Sequence, residues 1–329
     1  MRISVNLNAH KIVEEICENP LKYGVSVNVT DTGAKIIDAG ISSRGGLLAG
    51  KIITEICLGG LGRVEIFGME YEGIFLPTVS VYTDHPAIAT LGSQFAGWHI
   101  KVGEYSAIGS GPARALALKP KSIYKEISYK DESNVAVIVL EASKEPSAEV
   151  IEYISSKCKI RPDALTVIVV PTSSVAGFVQ ISGRIVETGI HRLVRLGLNP
   201  ETFLSAYGFA PVMPVHPDNI EAMGRTNDAL LYGGVTYYTV SYEDDDELQR
   251  FVENAISSVS RDYGRPFAEI FRDAGLDFYK VDPNIFAPAS ITINNIRTGK
   301  TFTAGAINTK TLKKSMGLIE AVKNALRDD

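Results

Sequence analysis

Long apolar runs are missing from the 329 residues: no stretch approaches the roughly 18 consecutive apolar residues of a bilayer-crossing helix. The opening, MRISVNLNAHKIVEE, places Glu14 and Glu15 where a secretion signal needs an apolar core, so the expected location is the cytoplasm, away from membranes. Basic charge is also scarce. With 33 Lys and Arg against 38 Asp and Glu, the net charge of -5 argues against nucleic acid as the partner, because such binding needs a positive field that displaces counterions. Cysteine is sparse, and Cys17, Cys57 and Cys158 form no C-x-x-C, which fits reduced, buried thiols. His10, His85, His99, His191 and His216 include no metal-ligand spacing, so no metal is expected. Nucleotide signatures fail by single residues. Gly45-x-x-x-x-Gly50-Lys51 has the outline of a phosphate loop, but Ile52 stands where a Mg²⁺-binding hydroxyl is required. Gly60-x-Gly62 and Gly109-x-Gly111 each lack the third glycine of a dinucleotide fingerprint.

What the chain has is a globular composition, 45% hydrophobic and 22% charged, at a length where one core usually gives way to two. Two α/β domains with a cleft between them are the expectation, divided at 1–130 and 131–329, with the hairpin near 290–310 a candidate to complete the first. The segment VAVIVLEA (135–142) reads as a buried strand, SAEVIEYISSKC (147–158) as an amphipathic helix and LTVIVVP (165–171) as a second buried strand. One long helix is predicted over 175–197, which completes a β-α-β-α run with parallel strands. A helix is expected over 9–22. Two hairpins, VSVNV-DTG-AKIIDAGI and SITINNI-RTG-KTFTAGAI, resemble each other enough to suggest an internal repeat, or simply two hairpins of similar turn chemistry. Asp244, Asp245 and Asp246 suit a helix N-terminus, and IEAVKNALRDD reads as a solvated tail helix.

Three segments carry candidate chemistry. In Gly109-Ser-Gly-Pro-Ala-Arg114 a loop feeds a helix start, and free amides with Ser110 and Arg114 can hold a phosphate or carboxylate; the alternative is a cap with a surface arginine. Pro171-Thr172-Ser173-Ser174 ends a strand and caps a helix, the position where open α/β sheets place ligands, which makes Ser173 a binding candidate. As nucleophiles, Ser173 and Ser174 lack G-x-S-x-G and any Ser-His-Asp order. Arg184 and Glu187, at i,i+3, share one helix face with His191 amid small and apolar residues, where charges are either partnered or functional. The competing reading is a surface ion pair worth tenths of a kcal/mol.

The segments SVNLNA (4–9), LGSQFAGW (91–98), GSGPARALA (109–117), VPTSSVAG with GRIVETGIH (170–191) and MGRTNDALLYGG (223–234) together resemble the archaeal-type methenyltetrahydromethanopterin cyclohydrolases. The resemblance implies a two-domain α/β subunit with a large pocket between the domains, assembled as a homotrimer. It also implies reversible conversion of N5,N10-methenyltetrahydromethanopterin and water to N5-formyltetrahydromethanopterin, without metal or nucleotide cofactor, the pterin being the one-carbon carrier and substrate. Arg184 and Glu187 match the catalytic pair. The substrate's methenyl carbon is already cationic, so it needs positioned water rather than a Lewis acid. Glu187 is suited to act as base and then acid, with Arg184 keeping it ionised. A pterin slot is expected from LGSQFAGW, through Ser93 and Gln94, and from YGFAPVMP; Ser110 and Arg114 suit the acidic coenzyme tail. The other reading is a non-catalytic pterin- or phosphate-binding protein on the same scaffold.

Overall fold

The computed structural model describes residues 3–318, so the expected tail helix over 319–329 lies outside the described residues. The described strands are β1 (Ser26–Val29), β2 (Lys35–Asp38), β3 (Gly62–Tyr71), β4 (Ile74–Thr83), β5 (Trp98–Val102), β6 (Tyr105–Ser110), β7 (Ala136–Glu141), β8 (Leu165–Val169), β9 (Phe203–Pro211), β10 (Val235–Val240), β11 (Ser290–Asn295) and β12 (Thr301–Gly305). They form two six-stranded sheets, β1-β2-β8-β7-β6-β5 and β12-β11-β10-β9-β4-β3, and with the helices make an α/β protein. The chain divides into two compact units, residues 1–64 with 82–180, and residues 65–81 with 181–329.

This division differs from a single cut after residue 130. β7 pairs with β6 and runs parallel to β8, so the segment after 130 stays in the first sheet. Residues 65–81 leave with the second unit. The late hairpin pairs through β11 with β10 and therefore belongs to the second unit rather than completing the first.

In the first unit the centre is parallel, with β2, β8 and β7 side by side. A sheet covered on both faces needs apolar residues on both, which is why AVIVLE and LTVIV read as continuous apolar runs. Val137 and Val139 enter one cluster with Ile37, Ile168 and residues of helices Val5–Glu18 and Leu47–Cys57. Ala136, Ile138 and Leu140 enter the other with Val167, Val169 and helix Ala148–Cys158. The first helix starts at Val5, earlier than position 9, because the Ser4 hydroxyl accepts the Leu7 amide at 3.2 Å and caps it. Asn6 then ties this helix down: its side chain donates to Asp131 and to the Pro112 carbonyl and accepts the Val137 amide.

In the second unit, helix Ile185–Arg195 packs on β9 and β10, and helix Asn219–Gly233 packs on β9. Asp244 caps helix Asp245–Asn254 by accepting the Glu247 amide, so the acidic run is a helix start. Each unit carries one of the two similar hairpins at a sheet edge. In the first sheet the second arm, β2, lies inward and parallel to β8; in the second the first arm, β11, lies inward and parallel to β10. The hairpins are alike in turn and placement and opposite in which arm is buried.

Candidate active site

The expected single helix over 175–197 is two helices, Val175–Ser182 and Ile185–Arg195. Gly183 is a poor helix former and Arg184 adopts φ -86°, ψ 2°, outside the helical range. The Arg184 amide donates to Ile181 in a tight turn, and the chain restarts as a helix with Arg184 at its N-cap. Both the Thr188 amide and hydroxyl donate to the Arg184 carbonyl, at 2.8 and 3.0 Å. Glu187 thus falls in the first turn of a new helix, where the exposed N–H groups favour negative charge. The side-by-side placement inferred from one continuous helix is replaced by an N-cap and first-turn relationship.

Burial separates the two readings of the pair. Arg184 is 8% exposed and Glu187 7%, which rules out the loose surface ion pair. Beneath the first turn lies Tyr238 of β10, fully buried, whose hydroxyl donates to the Val186 carbonyl at 2.9 Å. Burial, with the Glu187 carboxylate nearby, raises the Tyr238 pKa well beyond the ordinary phenol range, so it stays a donor. Glycines make the close approach possible. A Cβ on Gly189 would stand 2.1 Å from the Tyr238 hydroxyl oxygen, and one on Gly234 would stand 2.2 Å from Ile185 Cδ1. Tyr238, Gly189 and Gly234 pack closely around this helix start, and sequence reasoning missed them. The only signal was the glycine inside a helical pattern, ETGIH, which marks a close contact. His191, one turn on, is held down to about 4 by burial and by Arg195 and Arg192, and is therefore a neutral imidazole at pH 7.

The remaining candidates lie in the first unit, where four of them come together. Ser93 and Gln94 end a π-helical turn, Thr90–Gln94, and are fully buried. The Ser93 hydroxyl donates to the Cys57 carbonyl at 2.6 Å, and the Ser93 carbonyl accepts from the Gly111 amide and from Arg114 Nη1. The Ser110 hydroxyl lies 3.8 Å from Cys57 Sγ and 3.5 Å from the Val139 carbonyl. Arg114 is 0% exposed, so it is no surface arginine. It donates to the carbonyls of Lys119, Leu91 and Ser93, and its guanidinium sits 5.2 Å from the Phe95 ring centroid and 5.6 Å from that of Tyr124. The Gly111 amide, counted as free for an anion, is used inside this knot.

Ser173 is half-buried in the turn after β8. Its neighbour Ser174 supplies the cap, its hydroxyl accepting the Gly177 amide at 3.0 Å and donating to the Pro171 carbonyl. Thr172 bonds Glu141 at the end of β7. At the end of β2, Asp38 accepts four backbone amides, Gly40 through Ser43. Burial alone would raise its pKa; the four donors outweigh it and hold the carboxyl below its ordinary value. Among the described residues, no three His, Cys, Asp or Glu side chains gather in a group that could hold a metal.

The fold and this site describe an α/β protein with a buried Arg and Glu at a helix joint. The family model described as Cyclohydrolase (MCH) matches residues 4–316, and the chain belongs to that family. It is 46% identical over 316 residues to a methenyltetrahydromethanopterin cyclohydrolase of Methanococcoides burtonii, covering 96% of this chain and 99% of the relative. Proteins of the same name match at 46% identity from Methanothermobacter marburgensis, covering 96% of this chain and 100% of the relative, and from Methanocaldococcus jannaschii, covering 97% and 99%.

Proposed function

We propose that this chain is an enzyme that reversibly hydrolyses N5,N10-methenyltetrahydromethanopterin to N5-formyltetrahydromethanopterin in archaeal one-carbon metabolism. The observation that carries this reading is the match, over nearly the whole of both chains, to relatives named for that reaction. The buried Arg184 and Glu187 supply groups suited to the chemistry.

The methenyl carbon is cationic and accepts the oxygen of water. Glu187, as carboxylate, takes a proton from that water as the carbon–oxygen bond forms. It then gives a proton to N10 as the carbon–N10 bond breaks, the remaining hydroxyl proton passes to solvent, and the formyl group stays on N5. Arg184 provides the positive charge that orients Glu187. No metal or cofactor takes part in this scheme. We also propose a cytoplasmic location and assembly as a homotrimer. Self-association is supported by one face of the second sheet: Phe67, Tyr207 and Tyr237 are 40 to 43% exposed there, Tyr207 opposite Tyr237 and Phe67 against Phe209. No helix among the described residues is long and apolar enough to cross a membrane. The test is spectroscopic: purified protein added to the methenyl compound is expected to abolish its absorbance catalytically. Stoichiometric binding without turnover would instead favour a non-catalytic pterin binder.

A further inference from the structure

The first unit holds a second feature that the hydrolytic reaction does not use. An open cavity of about 430 Å³ lies along residues 118–130, within the range of small-molecule sites. Lys121, Lys125 and Lys130 line it. Among the described residues none of these ammonium groups pairs with a carboxylate. Lys121 and Lys125 stand i,i+4 on the short helix Lys121–Glu126, an arrangement of like charges that is unfavourable unless something negative sits between them. The clustering is notable in a chain of net charge -5.

The wall is aromatic and its hydroxyls are already engaged. Tyr124 donates to the Gly92 carbonyl at 2.9 Å and Tyr129 to the Ile3 carbonyl at 3.0 Å. The lysines are therefore the cavity's charged polar groups, whereas the two rings are buried and add little open surface. Behind Tyr124 the buried Arg114 guanidinium, 5.6 Å from the ring centroid, adds to the positive potential. Leu118 and Ser128 of the lining segment are non-glycine residues with φ of 51° and 48°, an uncommon backbone conformation.

We propose that this cavity binds a small phosphorylated molecule carrying at least two negative charges, its phosphates held by Lys121, Lys125 and Lys130. Lysine suits such a ligand because a mobile ammonium can adapt to several phosphate oxygens. Isothermal titration of the full chain with inorganic pyrophosphate at constant ionic strength, against a sodium chloride control, tests it. Saturable binding is expected. The triple variant Lys121→Gln, Lys125→Gln, Lys130→Gln should bind roughly tenfold more weakly or worse, as the loss of three partly exposed charge contacts implies. The corresponding triple Lys→Arg variant should retain binding, and Arg184→Ala should leave it unchanged. Circular dichroism on each variant confirms folding. No saturable heat with the unaltered chain, or equal affinity in the triple Gln variant, overturns the proposal.

Discussion

Two buried arginines mark the difference between the units. Arg114 is wholly enclosed, donates to three main-chain carbonyls and lies near two aromatic rings. Its charge draws together the Thr90–Gln94 turn and the segment from Gly111 to Lys119. Arg184 sits where one helix stops and another starts, just reaching the surface, three residues before a carboxylate in a helix's first turn. The same side chain thus serves as a tie in one setting and, in the proposed mechanism, as a neighbour to reactive chemistry in the other. Burial alone does not tell them apart; what each charge faces does.

The contrast can be broken by substitution, and the largest effect falls on the second unit. Glu187→Gln is expected to lower kcat by about 10² to 10⁴, the usual contribution of a positioned general base, with thermal stability nearly unchanged. Arg184→Ala should cost much of the activity and leave the fold intact; unchanged rates would remove it from the mechanism. Arg114→Ala should do the reverse. It removes a donor from each of the Leu91, Ser93 and Lys119 carbonyls, of which Ser93 keeps the Gly111 amide, and costs about 3 kcal/mol or more in urea unfolding, with turnover per folded molecule close to that of the unaltered chain. Next comes Gly189→Ala, whose methyl would collide with the Tyr238 hydroxyl and cost about 1–3 kcal/mol. Adding Tyr238→Phe should recover part of that loss, and strict additivity would show that the contact is not the cause.

The smallest effect is a change in pH dependence within the second unit. His191 is held down from 6.5 to about 4 by burial and two arginines, so below pH 6.5 the unfolded chain binds its proton more readily and stability falls with falling pH. Asp228, fully buried on helix Asn219–Gly233 and bonded to the Phe267 amide, is raised from 3.8 to about 7 by burial. The folded chain keeps that proton longer, so its contribution is lost as pH rises toward 7. The two slopes oppose each other over pH 4 to 6.5. Urea midpoints should therefore fall with rising pH in His191→Gln and rise with it in Asp228→Asn, by up to about 1 kcal/mol per pH unit, with the unaltered chain flatter than both. Parallel profiles in all three proteins would contradict these burial effects.

Much of the fold was legible in the sequence. The parallel centre announced itself as two runs rich in β-branched residues, AVIVLE and LTVIV, and the hairpins as T-G turns between alternating strands. The division into units was not legible, because residues 65–81 join the second unit through strand pairing far away in the chain, which no local pattern encodes. The break at Gly183 was hidden by apolar periodicity that continues through it. For the site, the type and spacing of Arg184 and Glu187 were readable, whereas their burial depends on packing that the linear chain does not display. Arg114 misled for the same reason: Gly-Ser-Gly-Pro-Ala-Arg looks like an anion loop until Ser93, some 20 residues earlier, is seen to take up the Gly111 amide.

The most direct test is a single-turnover experiment on Glu187→Gln loaded with the methenyl compound. The substrate is expected to bind with near-normal affinity and to keep its methenyl absorbance over the time in which the unaltered enzyme consumes it completely. Hydrolysis at close to the normal rate would contradict the assignment of Glu187 as the base for water.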